Sequence, residues 1–215
     1  MENEQFDKAV DLLSVSKRVD QALELLLKHN VPITEQLAEK LSPAKPPANK
    51  GDMHAYNSTL EMIGDAAFDQ RLYTIAAKKY TEANNRTKAM KALMKSGDTS
   101  RVIFFANIQK QRETYIMAAN YLQSLDWRKD PEIMKQIINF YTRAKSMESL
   151  ASFYEACAQV EIDEFQDYDK AVSALAEAYK CLTRGNVEDS GKVEEMINNL
   201  KIKLTLIQKF IQAKR

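Results

Sequence analysis

Glycine and proline are scarce in this 215-residue chain, five of each, and three of the prolines (Pro43, Pro46 and Pro47) share one short stretch. Strands joined by tight turns need more breakers than that, so a turn-rich β architecture is excluded and long helices are favoured. Cysteine and histidine are scarcer still, two of each. Cys157 and Cys181 cannot build a disulfide framework, and with His29 and His54 their spacings match no zinc site. The glycines are too dispersed for a phosphate-cradling loop. Charge of one sign is also missing, with 31 Lys and Arg against 30 Asp and Glu. Nucleic acid is therefore not the main expected ligand, because phosphate binding rests on a basic excess. No apolar run approaches the roughly 18 residues of a membrane-spanning helix. Met1–Gln5 is polar and acidic, unlike the start of a signal peptide. A cytosolic-type chain is expected.

Hydrophobic residues make up 45% of the chain and charged residues 28%, a globular rather than a disordered composition. Good helix formers (Ala, Leu, Lys, Glu, Gln, Met) fill it. The expected fold is all-α. Charge is unevenly spread: residues 1–39 hold four bases and eight acids, while residues 86–112 hold seven bases and one acid, Asp98. The basic run reads either as a solvated helix face or as a patch for an acidic partner or lipid headgroup, with Arg101, Lys110 and Arg112 as its candidate contacts.

A helix-pair period of about 34 residues is legible in the middle of the chain. Leu60, Ile63 and Gly64, with Ala67, supply the first helix of a tetratricopeptide-like pair, and Tyr73, Ala76, Tyr80 and Ala83 supply the second. The chemistry follows from packing: two antiparallel helices approach closely only where small side chains meet, and aromatics fill the groove beside them. A degenerate copy runs through Met134, Ile137, Ile138 and Tyr141, then Met147, Leu150, Tyr154 and Cys157. Tyr168, Ala171, Leu175 and Ala178 repeat the second-helix signature, and Phe6-Asp7-Lys8-Ala9 echoes it near the start. Only five residues precede that echo, so the sequence is expected to be a piece of a longer array. The expected architecture is a right-handed solenoid of antiparallel helix pairs, with divergent repeats.

Boundaries follow from caps and breakers. Asp130-Pro131-Glu132 reads as an N-cap, a first-turn proline and a dipole-facing acid, and Gly97 reads as a helix end. The expected organisation is repeat elements over 1–40, a proline-rich linker over 41–52, helix pairs over 53–191 and a long helix over 192–215. Val193, Ile197, Leu200, Leu204, Ile207 and Ile211 make a heptad seam on that last helix. The seam either folds back on the helix around Tyr168–Leu182 or offers Leu200 and Leu204 to a partner. Trp127 reads equally as a core plug or an interface anchor.

No catalytic constellation emerges. Neither histidine stands beside a candidate nucleophile in a strained turn or a glycine-rich oxyanion site. Asp163, Glu164, Asp167 and Asp169 cluster, but a calcium loop begun at Asp163 would need glycine where Tyr168 stands and glutamate where Ala174 stands. No cofactor or metal is expected, and no enzyme.

Four segments, Lys78–Thr81, Lys88–Thr99, Tyr115–Asp130 and Phe153–Glu164, closely resemble the tetratricopeptide region of the intraflagellar transport protein 140 family. The likeness covers nearly the whole chain and is weakest in the proline-rich stretch and around 185–192. It implies a scaffold part of a subunit of intraflagellar transport complex A, which serves retrograde transport and the admission of membrane proteins to cilia. The implied partners are other subunits of that complex and ciliary membrane-protein cargo; the implied location is the cytoplasm and the cilium, at the axoneme and ciliary base. An alternative is a cargo or lipid adaptor using residues 86–112. Self-association is left open.

Overall fold

Sequences rich in straight-chain residues and poor in breakers form helices end to end, and the computed structural model shows this. It describes residues 18–46, 53–184 and 191–214, with Lys8, Leu12 and Leu13. Most of the Phe6–Ala9 echo, residues 47–52 of the proline-rich stretch and residues 185–190 of the second loop lie outside the described residues. All regular elements among the described residues are helical, and helices pack in neighbouring pairs, as Met53–Asp69 with Tyr73–Glu82 and Met147–Asp163 with Tyr168–Arg184. Paired helices of this kind are the packing unit of tetratricopeptide-like repeats.

Contacts divide the chain into two compact units, Met1–Gln109 and Lys110–Arg215. The first holds α1 (Val19–Lys28), α2 (Glu35–Leu41), α3 (Met53–Asp69), α4 (Tyr73–Glu82), α5 (Arg86–Ser96) and α6 (Thr99–Gln109). The second holds α7 (Arg112–Gln123), a 3-10 turn (Trp127–Lys129), α8 (Pro131–Arg143), α9 (Met147–Asp163), α10 (Tyr168–Arg184) and α11 (Gly191–Lys214). The helices before the proline-rich stretch thus pack with those after it. Gln70, just past α3, accepts from Ile33 N at 2.8 Å and donates to Val31 O at 2.7 Å, satisfying two backbone groups of the α1–α2 connection.

Helix starts are held by side-chain caps. Asp130 accepts from Glu132 N and Ile133 N at 2.9 and 3.2 Å ahead of Pro131, and Asn85, Asp98 and Asp167 cap α5, α6 and α10. Gly97 closes α5 at φ +74°, a left-handed conformation suited to glycine. Other helix ends reach the same geometry without glycine. Asn30, Arg71, Asn84 and Lys145 have φ between 52° and 61°. At each, the next residue's N–H bonds a carbonyl five residues back, as Leu72 to Ala67 at 2.8 Å and Ser146 to Tyr141 at 3.0 Å. Paired backbone bonds of this kind satisfy the last carbonyls and offset the cost of the left-handed residue.

Candidate protein-interaction surfaces

In the first unit the repeat signature forms one close contact. Leu60, Ile63, Gly64 and Ala67 line the inner face of α3, and Ala76, Tyr80 and Ala83 come to it from α4 and its end; all are buried. A Cβ at Gly64 would stand 2.7 Å from Tyr80 Cε1, so glycine is what lets the tyrosine ring lie flat on α3. Tyr73 is half-buried and meets Phe68 edge-on at 5.2 Å. The Tyr80 hydroxyl donates to Asp65 Oδ1 at 2.6 Å, and Lys88 donates to the same carboxylate at 2.8 Å. Burial and then the Asp65 acceptor push the Tyr80 phenol far above its usual range. Burial opposes the Lys88 charge, but Asp65 and Glu61 outweigh it and hold that ammonium above its usual range.

The same unit buries a charge that periodicity does not reveal. Lys79 is 1% exposed, with Nζ 3.1 Å from Glu39 and 2.9 Å from Glu82. Hydrogen bonds from Lys78 and Lys79 hold the Glu39 carboxyl below its usual range.

In the second unit Tyr141 is buried and its hydroxyl donates to Asn120 Oδ1 at 2.6 Å. Leu150 is buried, and Tyr154 is half-buried. Cys157, which stands where the repeat pattern calls for alanine at a close approach, is only half-buried; Ala151 and Ala158 hold the tight positions on α9. Burial still pushes the Cys157 thiol up to about 12, with the Glu161 charge adding to it, and burial also raises Cys181. Ala171, Leu175, Ala178 and Leu182 of α10 join Ala151 and Ala158 in one cluster, with Tyr168 half-buried at its edge.

That cluster decides how the described structure places the last helix. Val193 and Leu200 of α11 are buried in it, and Ile197, Leu204 and Ile207 pack against it. The seam therefore folds back on α10, and Leu200, at 0% exposure, offers nothing to a partner. Trp127 is likewise turned inward: 6% exposed, it meets Phe153 edge-on at 4.9 Å. A short 3-10 turn aims the indole into the core, where its burial is worth more than exposure at a rim. Among the other candidate contacts, Arg101 is paired with Asp98 at 3.2 Å, whereas Lys110 and Arg112 are exposed and begin the second unit.

The acidic cluster is occupied by local partners. Asp163 accepts from Gln159, Glu164 pairs with Arg128, and Asp167 pairs with Lys170. Among the described residues no group of three or more His, Cys, Asp and Glu side chains is placed to hold a metal ion. No described helix is long and apolar enough to cross a membrane.

Large apolar residues that face solvent include Phe104 and Ile108 on α6, Ile202, Leu206 and Phe210 on α11, and Phe165; Leu12, Leu27, Met53 and Met62 are also exposed. The α11 set was not singled out in the sequence, although its step of four residues stands there, one face away from the heptad seam.

Residues 1–140 match the family model of the tetratricopeptide domain shared by intraflagellar transport proteins 140 and 172. Residues 148–215 match the model of the C-terminal tetratricopeptide domain of intraflagellar transport protein 140. The first model alone spans more than half of the chain, and the Gly64–Tyr80 packing of a tetratricopeptide pair lies beneath it. The chain therefore belongs to the tetratricopeptide-domain family of intraflagellar transport proteins 140 and 172, and is a region of the protein 140 type.

Proposed function

We propose that this chain is a non-catalytic scaffold segment of an intraflagellar transport complex A subunit, holding sibling subunits through the outer faces of its helix pairs. In this reading it serves retrograde transport and the admission of membrane proteins to cilia, working in the cytoplasm and along the axoneme from the ciliary base. The family match over both units carries the proposal. The exposed apolar residues on α6 and α11 support it, since exposed apolar patches mark sites of protein interaction. The adaptor reading through residues 86–112 has less support, because Lys88 is committed to Asp65 and Glu61 and Arg101 to Asp98.

Co-purification separates the two. The full-length subunit, with and without this segment, is isolated from ciliated cells at low and high salt, and its sibling subunits are quantified. A scaffold loses siblings when the segment is deleted and keeps them when salt is raised, because apolar interfaces are not screened. Retention of every sibling after deletion would contradict the scaffold. Salt-sensitive loss of cargo alone would favour the adaptor.

A further inference from the structure

We propose that the outer stripe of α11 is a docking groove for an acidic amphipathic helix of a partner protein; this deepens the scaffold reading and rests on it. Ile202, Leu206 and Phe210 are 58%, 61% and 47% exposed. Their four-residue spacing makes one stripe along α11, which starts opposite Leu200 at Ile202 and winds round to Phe210, whose ring meets Tyr168 of α10 at 4.8 Å. The helix is thus apolar beyond its seam, and this stripe is covered only in part, at its Phe210 end. Beside the stripe lies a cavity of about 340 Å³ lined by Ile162, Tyr168, Leu206, Ile207 and Phe210, with room for a large side chain. A stripe with a socket at one end is the form that a helix laid in a groove requires.

Charge selects the occupant. From Lys201 to Lys214 the helix carries Lys201, Lys203, Lys209 and Lys214 and no acid. Lys203 is held by Glu155 at 2.8 Å, and Lys214 lies over the Tyr168 and Phe210 rings at 5.2 and 5.7 Å. Lys201 and Lys209 are exposed and make no ion pair among the described residues. A second copy paired about Leu206 would bring two such lysine sets together, which like-charge repulsion opposes. An anionic membrane fits less well, because a continuous headgroup layer would also meet Asp167 and Asp169 beside Tyr168 and Phe165, whereas a helix can set its acids at Lys201 and Lys209 alone. A helix with an apolar stripe and acidic flanks meets both the stripe and the free lysines.

Three synthetic amphipathic helical peptides test this against the 215-residue chain by fluorescence anisotropy. They share one leucine stripe, flanked by Glu or by Lys, and the third has serine in place of leucine with Glu flanks. The Glu-flanked peptide should bind at least about tenfold tighter than either of the others. Leu206→Asp with Ile202→Asp should weaken it at least about tenfold. Lys201→Glu with Lys209→Glu, which leaves the apolar residues alone, should do so while preserving the melting curve. Equal binding of Glu- and Lys-flanked peptides overturns the proposal, as does the absence of binding. So does dimerisation that Leu206→Asp abolishes, or sedimentation with phosphatidylserine vesicles in preference to peptide. In the full-length subunit, stripe variants that keep every sibling while segment deletion loses them sink this inference and leave the scaffold intact; deletion without loss sinks the scaffold itself.

Discussion

Replacing Gly64 with alanine sets two effects of opposite sign against each other. Helix propensity favours alanine over glycine by about 0.8–1 kcal/mol at an interior position. Against it, the new Cβ would lie 2.7 Å from Tyr80 Cε1 and 2.8 Å from Cδ1. An ordinary contact begins at 3.4 Å, so the ring must withdraw by about 0.7 Å. It has little room to do so: Tyr80 is 3% exposed and its hydroxyl is tied to Asp65 at 2.6 Å. Overpacking of a well-filled contact costs about 1–3 kcal/mol, so Gly64→Ala should lose between about 0 and 2 kcal/mol net. Gly64→Leu, which adds three more carbons to the same gap, should lose more. The sharper test removes the ring. In a Tyr80→Leu background the clash is gone, and Gly64→Ala should now stabilise by up to about 1 kcal/mol. Urea denaturation of the four proteins, followed by circular dichroism, gives the coupling, expected at about 1 kcal/mol or more. Equal effects of alanine in both backgrounds, or a gain in stability with Tyr80 present, would refute the packing argument.

Leu200→Asp with Leu204→Asp places a carboxylate in the α9–α10–α11 cluster and should destabilise the monomer by at least about 3 kcal/mol in urea titration; an unchanged monomer would mean the seam is not buried. Lys79→Met should shift stability by less than about 1 kcal/mol, since Glu39 and Glu82 keep contact with water at 51% and 33% exposure once the ammonium is gone, and a large loss would show the ion pairs dominate. Burial raises the folded Cys157 thiol from 9.0 to about 12, so its contribution to stability is intact below pH 9 and is lost as pH rises toward 12. Cys157→Ala should therefore flatten part of the alkaline decline, and identical alkaline limbs in the two proteins would contradict it.

Leu60, Ile63 and Gly64 were readable because a tetratricopeptide pair needs large and small residues at fixed steps, and Tyr80 because the pattern asks for an aromatic opposite. Periodicity could not separate Cys157 from Ala158. Neighbouring positions differ by about 100° on a helix, and which of them faces α10 depends on how Ala151 and Ala171 meet across the pair. Lys79 was invisible for a different reason: its partner Glu39 lies on α2, far off in sequence, and only the fold brings them together. Arg71 and Lys145 carry no glycine-like signal, because backbone hydrogen bonds rather than residue type hold those turns. Trp127 was ambiguous until the 3-10 turn set the direction of its side chain. The outer stripe of α11 is hidden in the sequence by the heptad seam, which accounts for the helix without saying that a second stripe is apolar.

Cross-linking mass spectrometry of the assembled particle tests the scaffold most directly. Lys91, Lys95, Lys201 and Lys209 are exposed and open to an amine-reactive linker. A scaffold segment should give reproducible links from these lysines to sibling subunits, those from Lys201 and Lys209 falling near an acidic helix. Links confined to this chain, in a particle whose other subunits link to one another, would contradict the account.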